Sequence, residues 1–173
     1  DLVEASKVSS GNVKLEMHKI DIVELVCQTG GEFNEKVEDK ELTIVTKLPR
    51  QAVYIWSDGR HLYRVIENLY NNVAKYALQK TRVYVEVQAD EERAVFSIKN
   101  VSARENSEVE DLTERFIRGD SSRTTEGSGL GLSIAKNLTL LMGGMFDISV
   151  DGDLFKATIA LPLYVEGQEE RGQ

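Results

Sequence analysis

The chain has 173 residues, of which 29 are acidic and 21 are basic, so its formal net charge is −8. This acidity argues against a broad nucleic-acid interface, because neutralising phosphates requires clustered Lys and Arg. A single cysteine, Cys27, excludes a disulfide framework and is typical of a reducing compartment. No apolar run approaches the roughly 20 residues that span a bilayer. We therefore predict a cytoplasmic, single-core domain with no nucleic-acid partner and no direct membrane contact.

The first third of the chain predicts alternating short helices and strands. Residues 1–10 indicate a short helical piece, and the alternation of apolar and polar residues over 13–20 predicts a half-buried strand. Asp21 is a suitable N-cap for a helix that extends to Phe33, in which Cys27 is expected to lie in the core. Two β-rich runs follow, over 42–48 and 52–56.

The remaining elements predict an α/β two-layer sandwich. Asp58 precedes a long helical pattern over 59–78, and a hairpin is predicted from the alternating runs 83–87 and 93–100. A second helix over 130–142 ends at Gly143 and Gly144, and strands follow over 145–150 and 154–161. The charged tail, 165–173, is expected to be frayed. This order favours a mixed, mostly antiparallel sheet with helices on one face.

The helix over 59–78 carries a polar stripe on a different side from its apolar residues. Asn68, Asn72 and Lys75 occur at i, i+4 and i+7, which places them within about 60° of one another on a helix. An amide oxygen is a hard ligand suited to Mg²⁺, and a lysine suits a phosphate. The alternative interpretation is a solvated helix face.

Asn100 is a candidate ligand-binding residue at the end of a strand. By alternation it continues the inward row of Ala94, Phe96 and Ile98, so its polar side chain requires a partner. A flat heteroaromatic ring with an exocyclic amine would be one, because an amide can accept and donate side by side. The alternative is an asparagine that forms a turn.

A glycine-rich segment leads directly into the helix over 130–142. Glycines allow backbone N–H groups to approach an anion closely, and a helix start adds favourable partial charge. The preceding residues, 121–126, are polar rather than strand-like, and no Gly-Lys-Ser/Thr follows, which argues against a dinucleotide-binding turn and a P-loop. The segment consists of Gly127, Ser128, Gly129, Leu130, Gly131 and Leu132.

Residues 101–128 lack helical or strand periodicity, which is typical of a functional loop or a disordered segment. Phe116, Arg118 and Arg123 lie just before the glycines. An arginine on such a loop can neutralise charge that develops during phosphoryl transfer. The alternative is an ordinary solvated loop.

Three stretches, taken in order, resemble the N box, F box and G2 box of bacterial sensor histidine kinases. They are residues 67–76 (ENLYNNVAKY), 112–123 (LTERFIRGDSSR) and 126–132 (EGSGLGL). Their order and spacing agree with that family, and the resemblance covers residues 11–163. It implies the Bergerat ATP-binding fold, shared with type II topoisomerases and certain chaperones, with ATP and Mg²⁺ as cofactors.

The resemblance also implies roles for individual residues. Asn72 would coordinate Mg²⁺ with Asn68 nearby, and Lys75 would contact the phosphates. Arg118 or Arg123, on the ATP lid, would steady the transferred group. The other implied nucleotide-binding residues are Tyr76, Asn100, Ser102, Phe116, Gly127, Ser128, Gly129, Leu130, Gly131 and Leu132.

The same resemblance implies a domain division and partners. Residues 1–10 would end the preceding dimerisation and phosphoacceptor helix with its linker, residues 11–163 would form the catalytic ATP-binding domain, and 164–173 would be a disordered tail. The γ-phosphoryl group of ATP would pass to a histidine on a phosphoacceptor domain absent from this chain, and a response regulator would act downstream. The chain would be the cytoplasmic portion of a membrane-anchored sensor and monomeric alone.

The adenine-reading box departs from the family pattern. The usual Asp-x-Gly-x-Gly is Asn-Val-Ser-Ala-Arg at 100–104. Asn100 can still accept a hydrogen bond from the adenine amine, but the carboxylate charge is lost. This departure is the feature that favours an alternative function, a nucleotide-binding regulatory module of the same fold with little catalysis.

Position 68 separates a kinase from a third alternative, a topoisomerase- or chaperone-type ATPase. Hydrolytic relatives of the fold place a glutamate base where Asn68 stands, and an amide cannot take a proton from water. Glu67 is adjacent but points about 100° away on a helix. The residues therefore favour transfer to an imidazole over hydrolysis.

Overall fold

A computed structural model describes residues 13–102 and 130–172, and the elements named below are those of this part of the chain. Its strands are β1 (Met17–Asp21), β2 (Thr43–Lys47), β3 (Tyr54–Asp58), β4 (Arg82–Ala89), β5 (Arg93–Val101), β6 (Met145–Asp151) and β7 (Leu154–Pro162). Its α-helices are α1 (Ile22–Gly31), α2 (Asn34–Asp39), α3 (Gly59–Tyr76) and α4 (Leu130–Leu141). A short 3-10 helix, Gln168–Gly172, follows them.

The larger of the two described sheets has the strand order β2-β4-β5-β7-β6. Strands β2 and β4 are parallel, and the other neighbours are antiparallel. Strands β1 and β3 form a separate antiparallel pair. The predicted sandwich with a mixed, mostly antiparallel sheet is confirmed.

The core lies between one face of the larger sheet and helices α1, α3 and α4. Strand β5 shows the reason, because its buried and partly exposed residues alternate and only one face is apolar. Helix α2 contributes no buried residue. Fully buried members of the core include Ile22, Val26, Leu62, Ile66, Leu69, Phe96, Ile98, Leu138 and Ile159.

Asp58 determines where helix α3 begins. Its Oδ1 accepts a hydrogen bond from the backbone N–H of His61 at 3.1 Å, and its Oδ2 accepts one from the backbone N–H of Glu16 at 2.8 Å. Burial alone would raise the pKa of this carboxyl. The two backbone hydrogen bonds and the neighbouring His61 ring lower it by more, so the pKa lies below its usual value. The N-cap predicted at Asp58 is confirmed.

Gly143 and Gly144 end helix α4 as predicted. Gly143 has a φ of +81°, a conformation that glycine adopts at little cost. Its N–H donates to the carbonyl of Leu140 at 3.0 Å, and the N–H of Gly144 donates to that of Thr139 at 2.9 Å. These two bonds form a Schellman motif, which directs the chain into β6.

Strands β1 and β3 differ most from their predicted bounds, and the other strands differ by one or two residues at an end. Strand β1 begins at Met17, because the pairing with β3 stops at Asp58, where helix α3 starts. Strand β3 begins at Tyr54, because its partner Asp21 is the last residue of β1 and caps helix α1. Each strand is therefore limited by a helix cap on its partner.

Two local expectations are wrong. Cys27 is exposed, because it lies about 140° around helix α1 from the buried Ile22. The described end of the tail is a 3-10 helix rather than frayed chain. It is closed by a bond from the N–H of Gln168 to the carbonyl of Val165 and by one from the N–H of Val165 to the Gln168 side chain.

Candidate functional site

Helix α3 presents the predicted polar stripe on a flank of its buried side. Asn68 and Asn72 are half-buried, and Lys75 is exposed. The neighbouring side of the helix is apolar and buried, which fixes the rotation of the helix about its axis. Tyr76, the last residue of the helix, is half-buried.

The Asn68 side chain faces the start of helix α4. Its Oδ1 lies 3.8 Å from the point that a Cβ on Gly131 would occupy. Its Nδ2 is fully buried and has no hydrogen-bond partner among the described residues. A buried donor without a partner costs about 1–3 kcal/mol, so this amide group is suited to a partner that the described residues do not supply.

Asn100 supplies a second buried amide with an unused atom. The residue is 1% exposed, and its Nδ2 donates to the backbone carbonyl of Val101 at 3.1 Å. Because a carbonyl can only accept, this bond fixes which way the amide points. The Asn100 Oδ1 is left buried without a partner among the described residues, so it can accept a hydrogen bond from a ligand.

The end of helix α3 is joined directly to the end of β5. Ala77 and Ser102 form an antiparallel bridge, and the N–H of Leu78 donates to the carbonyl of Val101 at 2.9 Å. Ser102 is buried, and its N–H donates to the carbonyl of Asp153 at 2.7 Å. The structure therefore brings the Lys75–Tyr76 end of the stripe close to the strand end that carries Asn100.

The glycine-rich segment is only partly described. Gly131 lies against Asn68, and the Leu132 side chain is buried in the core, so only the backbone of Leu132 could contact a triphosphate. Helix α4 begins at Leu130. The other predicted residues of this region lie outside the described residues: Phe116, Arg118, Arg123, Gly127, Ser128 and Gly129.

Glu67 is directed away from the two stripe amides. Its Oε1 accepts a hydrogen bond from Nη1 of Arg64 at 3.3 Å. The pKa of the neighbouring Tyr63 is raised to about 12, first by its hydrogen bond to Glu32, then by burial and by the charge of Glu67. Glu67 therefore belongs to an acidic cluster on another side of helix α3, as helical geometry predicts.

Lys40 is a residue near the site that sequence analysis missed. Its Nζ donates to the backbone carbonyls of Lys75 and Ala77, 35 and 37 residues away. A contact between an ordinary lysine and two carbonyls leaves no composition or spacing signal. Only the fold brings these groups together.

The described geometry is that of an α/β sandwich in which a helix stripe and a strand end supply amide groups. A family profile, described as "Histidine kinase-, DNA gyrase B-, and HSP90-like ATPase", matches residues 57–165. The chain belongs to this family. Residues 57–76 of this match carry the polar stripe, and the match continues through helix α4 and the last two strands.

The relatives of the chain are sensor histidine kinases. Sensor histidine kinase WalK of Bacillus subtilis (strain 168) is 30% identical over 176 residues, which cover 98% of this chain and 28% of WalK. The chain thus spans less than a third of this curated relative. The resemblance to sensor histidine kinases is confirmed, and the chain is an ATP-binding catalytic domain of their type.

Solved histidine kinases share the fold. The catalytic domain of histidine kinase ThkA has a TM-score of 0.73 at 19% identity, with 86% of this chain and 98% of ThkA's covered. Full-length ShkA in complex with AMPPNP has a TM-score of 0.76 at 20% identity, with 95% of this chain and 35% of ShkA's covered. Within the described residues, no helix is both long and apolar enough to traverse a bilayer.

Proposed function

We propose that this domain binds Mg-ATP and passes the γ-phosphoryl group to a histidine on a phosphoacceptor domain outside the chain. The observation that carries the proposal is the pair of buried amide atoms, Asn68 Nδ2 and Asn100 Oδ1, that have no partner among the described residues. They lie at the N-box and adenine-box positions of the family. Neither atom is needed by the fold, so each is available to a ligand.

The adenine is assigned to the end of β5. Asn100 Oδ1 accepts a hydrogen bond from the adenine amine, while its Nδ2 stays on the carbonyl of Val101. Tyr76 and Ser102 are assigned to the same adenine site, a proposal supported by the bridge between Ala77 and Ser102. The loss of the usual carboxylate therefore removes charge without removing the acceptor.

The metal is assigned to Asn72. Among the described residues there is no group of three or more His, Cys, Asp or Glu side chains that could hold a metal ion. An amide oxygen fits Mg²⁺, which keeps several waters and takes its other ligands from substrate phosphates. When bound, the ion would neutralise part of the negative charge on the phosphates.

The phosphates are assigned to Lys75 and to the segment that precedes helix α4. Lys75 is exposed at the end of the stripe and can move toward a phosphate as a point charge. Backbone N–H groups of residues 127–132 would hold the triphosphate at the start of the helix. Arg118 or Arg123, both outside the described residues, would steady the transferred group.

The acceptor is an imidazole rather than water, because neither of the described residues at positions 67 and 68 is placed to activate water. Position 68 is an amide, and the nearby carboxylate of Glu67 is bound to Arg64 on another side of the helix. An imidazole nitrogen has its own lone pair near neutral pH and can form a bond to the γ-phosphorus as the bond to the bridging oxygen breaks. ADP leaves.

The wider proposal follows the family. The catalytic domain comprises residues 11–163, preceded by the end of a dimerisation helix over 1–10. A response regulator receives the phosphoryl group afterwards. The domain lies in the cytoplasm as part of a membrane-anchored sensor and is monomeric alone.

A labelled-ATP assay tests the proposed reaction. We expect the chain, mixed with a matching phosphoacceptor domain, to place acid-labile label on that domain, and no label when the acceptor histidine is replaced by glutamine. Without the acceptor domain, phosphate release should be slower by at least about tenfold, because the amide at position 68 cannot take a proton from water. Binding without transfer would instead identify a regulatory module, and fast phosphate release would identify an ATPase.

Asn100 should make the site select adenine over guanine. Adenine presents an amine donor where guanine presents a carbonyl acceptor, and the fixed Asn100 Oδ1 can pair only with a donor. We expect calorimetry to show that Mg-ATP binds at least about tenfold more tightly than Mg-GTP. This ratio corresponds to a difference of about 1.4 kcal/mol in binding free energy.

The variant Asn100→Leu should bind both nucleotides with the same, weaker affinity. Ser97→Ala is the matched control, because Ser97 lies on the other face of β5. Equal affinity of the unmodified chain for ATP and GTP would contradict the assignment of Asn100.

A further inference from the structure

Lys40 holds the end of the helix that carries the site stripe. It follows helix α2 and is half-buried. Its Nζ donates to the carbonyl oxygens of Lys75 at 3.0 Å and of Ala77 at 3.1 Å. Its own backbone carbonyl accepts a bond from the N–H of Lys80 at 3.0 Å. One residue therefore holds both sides of the short connection over 75–80.

The end of helix α3 requires such a contact. The last carbonyls of a helix have no intrahelical partner, and here no glycine turns the chain back to cover them. Instead Ala77 is extended, with φ −65° and ψ 135°, and the chain leaves directly toward β4. A cation placed among these carbonyls satisfies them and also complements the negative end of the helix dipole.

The held connection joins the two halves of the nucleotide site. On one side are Lys75 and Tyr76, and on the other is the strand end with Asn100, attached through the Ala77–Ser102 bridge and the bond from Leu78 N–H to Val101. A displacement of the end of helix α3 would separate the phosphate contacts from the adenine contact. Misplacing a positioning element by about 1 Å can cost a large factor in function.

The environment of Lys40 strengthens its two hydrogen bonds. Burial lowers the pKa of its ammonium group below the usual value, which indicates that water is partly excluded from it. Hydrogen bonds from a charged donor are stronger than neutral ones, and more so where water is excluded. The bond to the Ala77 carbonyl is partly buried, whereas the bond to the Lys75 carbonyl is exposed.

We infer that Lys40 is a positioning residue for nucleotide binding, acting through the backbone of Lys75 and Ala77. The inference rests on the proposed function, since it takes the stripe and Asn100 as the two halves of one ATP site. The residue itself carries out no chemistry. Its removal should weaken the capture of nucleotide rather than slow the transfer step after capture.

The test compares Lys40→Met with Lys40→Arg in the whole chain. Methionine keeps most of the aliphatic stem and removes the donors, whereas arginine keeps a cation with several donors. We expect the dissociation constant of Mg-ATP, by calorimetry, to rise about fivefold in Lys40→Met, which is about 1 kcal/mol, and to stay within about twofold in Lys40→Arg. In the transfer assay, KM for ATP should rise with it while kcat stays within about twofold.

Lys36→Met is the matched control. Lys36 lies one turn earlier on helix α2, and its Nζ donates to the Asn71 side chain at 3.3 Å, away from the end of helix α3. This variant should bind Mg-ATP as the unmodified chain does. A Lys40→Met affinity within about twofold of the control would overturn the inference.

Hydrogen exchange at Leu78 separates the positioning role from a general loss of stability. The Leu78 N–H donates across the held connection to Val101, so it should exchange about tenfold faster in Lys40→Met, while amides in β5 and β7 remain unchanged. Uniform acceleration across the sheet would mean a global effect and contradict positioning. If the unmodified chain bound no nucleotide, the proposed function and this role would both be wrong, whereas tight binding that is insensitive to Lys40 would refute this inference alone.

Discussion

Replacing Asn72 with alanine is expected to lower the rate of Mg-dependent phosphoryl transfer by about 100-fold or more, the size of effect seen when a preorganised charge-stabilising group is removed. Asn72 is half-buried on the polar side of helix α3, one turn after Asn68. Its amide oxygen is the side-chain ligand that we assign to the metal. Alanine is the strongest helix former, so the domain should keep its fold and its melting temperature.

Asn71→Ala is the matched control for this prediction. Asn71 is the adjacent asparagine, but its side chain accepts a hydrogen bond from Lys36 on helix α2. We expect this variant to transfer phosphate at close to the unmodified rate. The assay is label transfer to the added acceptor domain at several Mg²⁺ concentrations, and normal transfer by Asn72→Ala would refute the metal assignment.

The largest expected effect on stability is that of Gly144→Ala, which should lower the free energy of unfolding by about 3 kcal/mol. A Cβ at this position would lie 2.5 Å from the carbonyl oxygen of Ala160, 2.8 Å from Leu161 Cδ2 and 3.0 Å from Thr139 Cγ2. The closest of these atoms belongs to the backbone of a β7 residue that pairs with both β5 and β6, so it cannot move without disturbing that pairing. Urea unfolding followed by circular dichroism measures the loss.

Gly31→Ala provides the comparison, because no atom lies within 4 Å of its added Cβ. Gly31 is the last residue of helix α1, where alanine is favoured over glycine, so this variant should be more stable by about 0.5 kcal/mol. Similar unfolding midpoints for the two variants would contradict the prediction, since they would show that a Cβ at position 144 does not destabilise the fold.

Helix α3 was predictable in start, face and polar stripe because the signals that define it are local. Asp58 caps it, and the apolar residues recur at helical spacing, so the rotation that buries Leu62, Ile66 and Leu69 also sets the direction of Asn68 and Asn72. The same reasoning placed Asn100 on the inward face of β5, since strand alternation requires no knowledge of the neighbouring strand.

The contacts between distant segments were not predictable in this way. Cys27 was expected in the core, and its exposure follows from which side of helix α1 packs against helix α3. The bounds of β1 and β3 depend on each other, since each pairing ends at a helix cap on the partner strand. The acceptor atom that Asn100 leaves free was not predictable either, because the bond to the adjacent Val101 depends on a rotamer that the residue types leave open.

The order of hydrophobic and polar residues determines the helices, the strands and the faces on which the candidate site residues lie, because periodicity and capping act over a few neighbouring residues. The family membership also follows from the order of residues along the chain. Only the folded chain decides that Asn68 faces Gly131, that Ala77 bridges Ser102, and that Lys40 holds the end of helix α3. These contacts join residues up to 63 positions apart, as between Asn68 and Gly131 (131 − 68), and such pairing depends on packing of the whole core rather than on local preference.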